Sequence, residues 1–292
     1  MATLTLKRHR QAHCSREGEP DGNGAAGGGS RRKATTPSTQ LGAGAPERSS
    51  TTPFFEVVDL SVSYGGVEAL RQFSLQVAEG EIVALLGPNG AGKTTTLKAI
   101  IGWARASRGR ITFEGRDLTR MKTEDIVRLG VTMVPQGRQV FSRLTVAENL
   151  MLGGLARANR GATGDMAAEM LDMFTVLRER RRELAGNLSG GEQQQLVIAR
   201  ALMSNPRLVI FDEPSLGLAP SLAARTFELI AQLRSRGLTI IIVEQNVGLA
   251  LAISDRAYVL AGGELALSGD VASLRESPEL KRVFLGIERT AL

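Results

Sequence analysis

Eight residues, GPNGAGKT at 87–94, fill the spacing G-x-x-x-x-G-K-[ST], which presents bare backbone N–H groups and one ammonium to a string of phosphate oxygens. The glycines let the backbone turn inward around an anion, and a helix starting directly after them adds roughly half a positive charge at its first turn. Gly87, Pro88, Asn89, Gly90, Ala91 and Gly92 form the cradle, and Lys93 reaches the β- and γ-phosphates. Thr94 offers its hydroxyl to Mg²⁺, and Thr95 can donate to a phosphate. Such a loop binds a nucleoside triphosphate without saying what happens to it.

RLVIFDEP, Arg207–Pro214, narrows the chemistry. Its apolar run delivers Asp212 and Glu213 to the carboxyl end of a buried strand, where open α/β sheets bind ligands. Asp212 is an oxygen ligand suited to a hard cation through water, and Glu213 can polarise an attacking water. A third stretch, NLSGGEQQQLVIARAL at 187–202, opens with Ser189 and Glu192 in the spacing of a capping box, so a helix should begin there with Leu196, Ala199 and Met203 on one face. Gly190 and Gly191 sit in its first turn, although each glycine costs a helix about 1 kcal/mol relative to alanine. That cost makes sense where bare N–H groups must approach an anion closely.

These residues need a scaffold, and the sequence supplies one. IVALL before the phosphate loop and IIIV at 240–243 are continuous apolar runs of strand length, as in a parallel sheet covered on both faces. TTLKAIIG after the loop has helical spacing. Met166, Met170, Phe174 and Leu177 also recur at helical spacing and are expected in the core. YVLAGGELALSG is a hairpin with Gly262 and Gly263 in its turn, ending the sheet. A chain of 292 residues with 42% hydrophobic content can bury one large core or two modest lobes. No run approaches the ~18 apolar residues of a membrane helix.

Composition excludes other chemistries. The only histidines are His9 and His13, so nothing later in the chain uses imidazole, and the single cysteine, Cys14, excludes an intrachain disulfide or a cysteine metal site. Residues 1–53 are rich in Gly, Ser, Thr, Pro and Arg and are expected to be a disordered basic tail. The tail holds eight Lys or Arg against four Asp or Glu, a net of +4 out of the chain's +6. Its charges carry no interleaved aromatics, so a solvated extension is expected and no nucleic-acid partner. No apolar segment follows Lys7 and Arg8, so no secretory signal is expected.

With LSGGE joined to the phosphate loop and FDEP, residues 54–285 resemble the ATP-binding cassette family, whose signature is LSGGQ. The resemblance implies an α/β fold, the P-loop NTPase cassette, with a central mainly parallel sheet, an antiparallel β subdomain and a helical (signature) subdomain. It places that domain at 54–288, with the helical subdomain at about 137–203. It implies ATP and Mg²⁺ as ligands, and a head-to-tail dimer in which Ser189, Gly190, Gly191 and Glu192 touch the γ-phosphate of ATP held by the partner's phosphate loop. By the same resemblance Tyr64 of SVSYGG stacks on adenine, and Gln136 of MVPQGR meets Mg²⁺ together with Thr94 and Asp212. The catalytic set would be Glu213, Lys93 and Gln245.

Two positions depart from the family pattern. In SLGLAP, Ala219 stands where an interface Asp is usual, and in IIIVEQN, Gln245 stands where the switch histidine is usual. A carboxamide can donate a hydrogen bond to a γ-phosphate but cannot carry a proton, so Gln245 is expected as a neutral contact. VPQGRQVFSRLTVAENL, DEPSLGLAP and VEQN together resemble the ATPases of branched-chain amino acid importers. That implies a second cassette ATPase, as heterodimer or homodimer, two transmembrane permease subunits, a periplasmic or extracellular binding protein acting indirectly, and a peripheral place on the cytoplasmic face of the cell membrane. Urea and short-chain amide importers use very similar ATPases, and that reading stays open. So do a soluble cassette ATPase acting on ribosomes or DNA and a nucleotide-binding subunit that does not hydrolyse.

Overall fold

The structure, a computed structural model, describes residues 53–156 and 163–285. The expected tail, Pro53 apart, lies outside the described residues, as do the last residues of the expected domain. β1 (Phe55–Tyr64) and β2 (Val67–Val77) pair antiparallel, and β3 (Ile82–Leu86) runs into the phosphate loop and α1 (Lys93–Ile100). β4 (Arg108–Phe113), β5 (Arg116–Asp117), α2 (Thr123–Arg128) and β6 (Val131–Val134) follow. Helices α3 (Val146–Gly153), α4 (Thr163–Met173), α5 (Thr175–Glu179) and α6 (Gly190–Leu202) come next. The chain then alternates through β7 (Leu208–Asp212), α7 (Pro220–Arg234), β8 (Thr239–Glu244) and α8 (Val247–Ile253). It closes with β9 (Arg256–Ala261), β10 (Glu264–Asp270), α9 (Val271–Glu276) and α10 (Pro278–Leu285).

Two sheets result. One has the order β2-β1-β4-β5 and is antiparallel; the other has the order β10-β9-β3-β8-β7-β6, parallel throughout except for β10. The α/β class expected from the sequence is therefore observed, and the Gly262–Gly263 hairpin does end the larger sheet, both glycines taking positive φ.

The period-2 alternation of strand side chains divides the core between the faces of the parallel sheet. Ile82, Ala84 and Leu86 of β3, Val209 and Phe211 of β7, and Ile240 and Ile242 of β8 pack on one side with α6, α7 and α8. Val83 and Leu85, Ile210, and Ile241 and Val243 pack on the other side with α1 and the antiparallel sheet. Every residue of IVALL is buried, which explains its unbroken apolar run. Met170, Phe174 and Leu177 are buried in the first of these cores and Met166 packs against it, as their spacing predicts.

Candidate nucleotide site

Register brings the chemistry-bearing residues together. β3, β8, β7 and β6 are parallel neighbours, pairing Leu86 with Glu244, Asp212 with Val243, and Val134 with Phe211. Their carboxyl ends consequently lie side by side, and each is followed by a residue singled out in the sequence: Gly87 after β3, Gln245 after β8, Glu213 after β7 and Gln136 after β6. Four stretches separated by up to about 160 residues become one surface at the strand ends, where sheets of this kind bind ligands.

The phosphate loop is tight. A Cβ on Gly87 would come within 2.5 Å of Leu260 O in β9, and Gly92 caps α1 in the left-handed region at φ 104°. Lys93 is only 5% exposed; its Nζ donates to Gly87 O at 2.8 Å and Pro88 O at 3.2 Å, with Glu213 Oε1 3.6 Å away. The ammonium thus lies between the loop that would hold phosphates and the carboxylate that would act on water. Thr94 is exposed at the start of α1, and Thr95 is half-buried beside it.

Glu213 is the centre of a polar cluster. Its backbone is left-handed at φ 46°, a conformation a non-glycine residue keeps only where its surroundings enforce it, and its N–H donates to Val243 O at 2.8 Å. Gln245 Nε2 donates to Glu213 Oε1 at 2.8 Å and Gln136 Nε2 donates to Oε2 at 3.0 Å. One amide therefore holds each carboxylate oxygen, fixing its plane and leaving lone pairs for a water proton.

Asp212, next along β7, behaves differently. Burial first and the neighbouring Glu213 second push its carboxyl up to about 6, with Lys93 acting in the opposite direction. A carboxyl whose folded pKa lies above its unfolded 3.8 holds its proton longer in the folded chain, so stability is greatest below that value and falls as pH rises through about 6. Thermal melts of nucleotide-free Asp212→Asn and the unmodified chain should therefore diverge as pH rises from 5 to 7, the variant gaining. A difference independent of pH would refute the linkage.

The donor set fits a magnesium ion brought in with a triphosphate. Among the described residues no group of three or more His, Cys, Asp or Glu could hold a metal by itself. Magnesium needs few carboxylates, taking its other oxygens from phosphates and water. Asp212 and Glu213 stand side by side, with Lys93 paired to Glu213, and leave negative charge for a divalent cation to neutralise.

The loop bearing Gln136 is fastened to the helices. Arg200 of α6 donates to Gln139 O at 2.6 Å and stacks over the Phe141 ring at 5.0 Å. Asn149 of α3 is fully buried; its Oδ1 accepts from Phe141 N–H at 2.9 Å and its Nδ2 donates to Phe141 O at 3.0 Å and Thr145 O at 2.9 Å. Asn149→Ala should lower stability by about 1–3 kcal/mol, since Phe141 N–H loses its acceptor while Phe141 O and Thr145 O keep backbone donors, and an unpaired buried donor costs about that much. Denaturant unfolding would measure it, and a loss below 0.5 kcal/mol, on the order of an ordinary surface substitution, would contradict this role.

The capping box at Ser189 is present: Glu192 N–H donates to Ser189 Oγ at 3.4 Å, and Ser189 N–H donates to Glu192 Oε2 at 2.8 Å. Those bonds, with Arg180 Nε 3.3 Å from Glu192, hold the Glu192 carboxyl below its usual range, the Ser189 backbone N–H contributing most. Arg138 lies across Gly190, its guanidinium resting where a methyl group would otherwise sit. Tyr64, at the end of β1, is 48% exposed, a ring face available for stacking and not a core residue. Ala219 is the N-cap of α7 and provides no side-chain cap, a loss of about 1 kcal/mol relative to an Asp there, with Pro220 following at the first helical position.

One residue of this site escaped the sequence reading. Glu244, the last residue of β8, is 2% exposed, and its carboxylate accepts three backbone N–H groups. A lone acid at the end of IIIV was the available signal.

Comparison with known proteins covers the same stretch of chain. Residues 70–216 match the family model described as ABC transporter. The chain is 45% identical over 227 residues to the high-affinity branched-chain amino acid transport ATP-binding protein BraG of Pseudomonas aeruginosa, covering 78% of this chain and 97% of that protein. It is 35% identical over 232 residues to the lipopolysaccharide export system ATP-binding protein LptB of Haemophilus influenzae, covering 78% and 95%. Its fold is similar to the ADP conformation of MJ1267, an ATP-binding cassette of an ABC transporter, with a TM-score of 0.72 at 27% identity, covering 81% of this chain and all of that one. Sequence and fold thus agree, and the protein belongs to the ABC transporter family as one of its ATP-hydrolysing subunits.

Proposed function

We propose that this chain powers an importer of branched-chain amino acids, hydrolysing MgATP at an interface with a second cassette subunit beneath two permease subunits. The observation that carries the substrate is the 45% identity to BraG over nearly all of that protein's length. The coverage of LptB at 35% identity supports a second reading, an export ATPase.

In the mechanism the phosphate loop and Lys93 bind the triphosphate, with Tyr64 against the adenine. Thr94, Asp212 and Gln136 would hold Mg²⁺, which supplies neutralisation of phosphate charge when bound. Glu213, oriented by Gln136 and Gln245, accepts the proton of the attacking water, and Gln245 donates to the γ-phosphate. Ser189 Oγ already accepts from Glu192 N–H, so its own O–H is free to donate to the γ-phosphate bound by the facing subunit, with the N–H groups of Gly190 and Gly191 beside it.

No described helix is long and apolar enough to cross a membrane, so attachment would come through permeases. A cleft of about 400 Å³ between β6, α2, α3 and α6, with the exposed side chains of Phe141 and Leu155 at its edge, has the apolar character to seat a helix from such a subunit on the cytoplasmic side. The test is recovery of this chain from membranes by a tag, identification of accompanying subunits by mass, and transport by the reconstituted assembly. ATP-dependent uptake of labelled leucine in preference to urea supports the proposal. Copurification with export subunits, or ATPase and transport indifferent to leucine, overturns it.

A further inference from the structure

Glu244 occupies a place where the pattern of its strand calls for another aliphatic residue. Thr239 to Val243 are all buried, and Glu244 continues the strand into the same enclosure, paired with Leu86 of β3. A carboxylate withdrawn from water is tolerated only with convergent donors. Here the donors come from two loops. Oε1 accepts from Ser215 N–H at 2.9 Å, and Oε2 accepts from Gln245 N–H at 3.1 Å and Asn246 N–H at 3.3 Å.

Those loops contain the two positions at which the sequence departs from the family pattern. Ser215 leads through Gly217 to Ala219, and Gln245 is the γ-phosphate contact proposed above. Leu216 N–H also donates to Glu213 O at 3.1 Å, and Gln245 Nε2 to Glu213 Oε1, so the two loops are joined around the carboxylate that accepts the water's proton. Neither Ala219 nor Gln245 can carry charge; one buried carboxylate fixes the backbone of both loops instead.

We propose that Glu244 is a positioning residue that locks the Ser215–Ala219 loop and the Gln245 loop into one unit, so that Gln245 is aimed at the γ-phosphate only while the other loop is in place. This rests on the reading of Gln245 as a γ-phosphate contact. Glu244 touches no nucleotide and acts through Gln245.

The test is a double-mutant cycle on ATPase activity in the assembly recovered through this chain, with Glu244→Ala, Glu244→Gln, Gln245→Ala and the double variants. Removing the carboxylate should lower kcat about tenfold or more, comparable to losing one preorganised donor, while KM for ATP changes less than about twofold. Glu244→Gln, which keeps one acceptor oxygen, should fall between, and it carries the same cycle if the alanine variant does not fold. Adding Gln245→Ala to Glu244→Ala should cost little further, because a misaimed amide has already lost its effect, and adding it to Glu244→Gln should cost only the part that variant retains. Losses that multiply, or a change confined to KM, would overturn the proposal, since a residue serving only stability would act independently of Gln245. If Gln245→Ala alone leaves kcat unchanged, the γ-phosphate reading fails; if it lowers kcat but the Glu244 variants do not, only the positioning proposal fails.

Discussion

Lys93→Met is expected to abolish measurable ATP binding while leaving the chain folded. The ammonium makes two hydrogen bonds inside its own loop and pairs with Glu213 just after β7. Two charge-assisted bonds to phosphate are worth about 1.5–3 kcal/mol each, so their loss should weaken Kd by about 10²–10⁴-fold. Methionine fills the same buried volume without a donor, so the fold should survive. Lys93→Arg should recover little, because a planar fork does not fit a space built for a compact ammonium. The charge balance gives a second readout. Lys93 opposes the upward shift of Asp212, so its removal should push the Asp212 carboxyl further up and move the pH-dependent loss of stability to higher pH. Equilibrium dialysis with ATP and melts across pH 5–8 measure both. Unchanged affinity in a folded Lys93→Met chain would remove the phosphate loop from the account.

The parts of this site that were legible in the sequence are those made by contiguous residues. GPNGAGKT announces itself because a strand, an anion-binding turn and a helix start must follow one another, and SGGE because a capping box spans four positions. Asp212 and Glu213 were legible because a short apolar run ends at them. The fasteners were not. Glu244 meets Ser215 across 29 residues, and Asn149 meets Arg200 across 51, distances at which only strand register and helix packing create the contact. The antiparallel sheet was expected from family resemblance alone, and the structure shows why its pattern was faint. β1 and β2 slip register between Val57 and Leu60, Leu60 and Val62, and Val62 and Ser63, breaking the alternation that would mark each strand. The packing of Arg138 over Gly190 was not legible either, since it joins residues 52 positions apart.

Glu213→Gln should reduce kcat by about 10²–10⁴-fold, the range expected for losing a general base, without weakening ATP binding. The carboxylate is one of two negative charges at the end of β7, and neutralising it lessens repulsion of the triphosphate, so affinity should hold or rise. The local geometry adds a further consequence. Both oxygens of Glu213 accept from amides, one from Gln136 and one from Gln245. A glutamine at this position turns an NH₂ toward one of those donors, and one of the two bonds must open. Gln245→Ala alone removes one donor and should cost less than Glu213→Gln, because the carboxylate stays and Gln136 still orients it. Joined to Glu213→Gln, it should cost less than it does alone, since an amide that aims a base loses that part of its effect once the base is gone and keeps only its γ-phosphate contact. Single-turnover hydrolysis together with retention of ATP on the enzyme separates the outcomes. Retained ATP with hydrolysis lost in Glu213→Gln, and a smaller cost of Gln245→Ala in that background than alone, would place proton transfer at Glu213, whereas hydrolysis persisting near the unmodified rate would require another base at the ends of these strands.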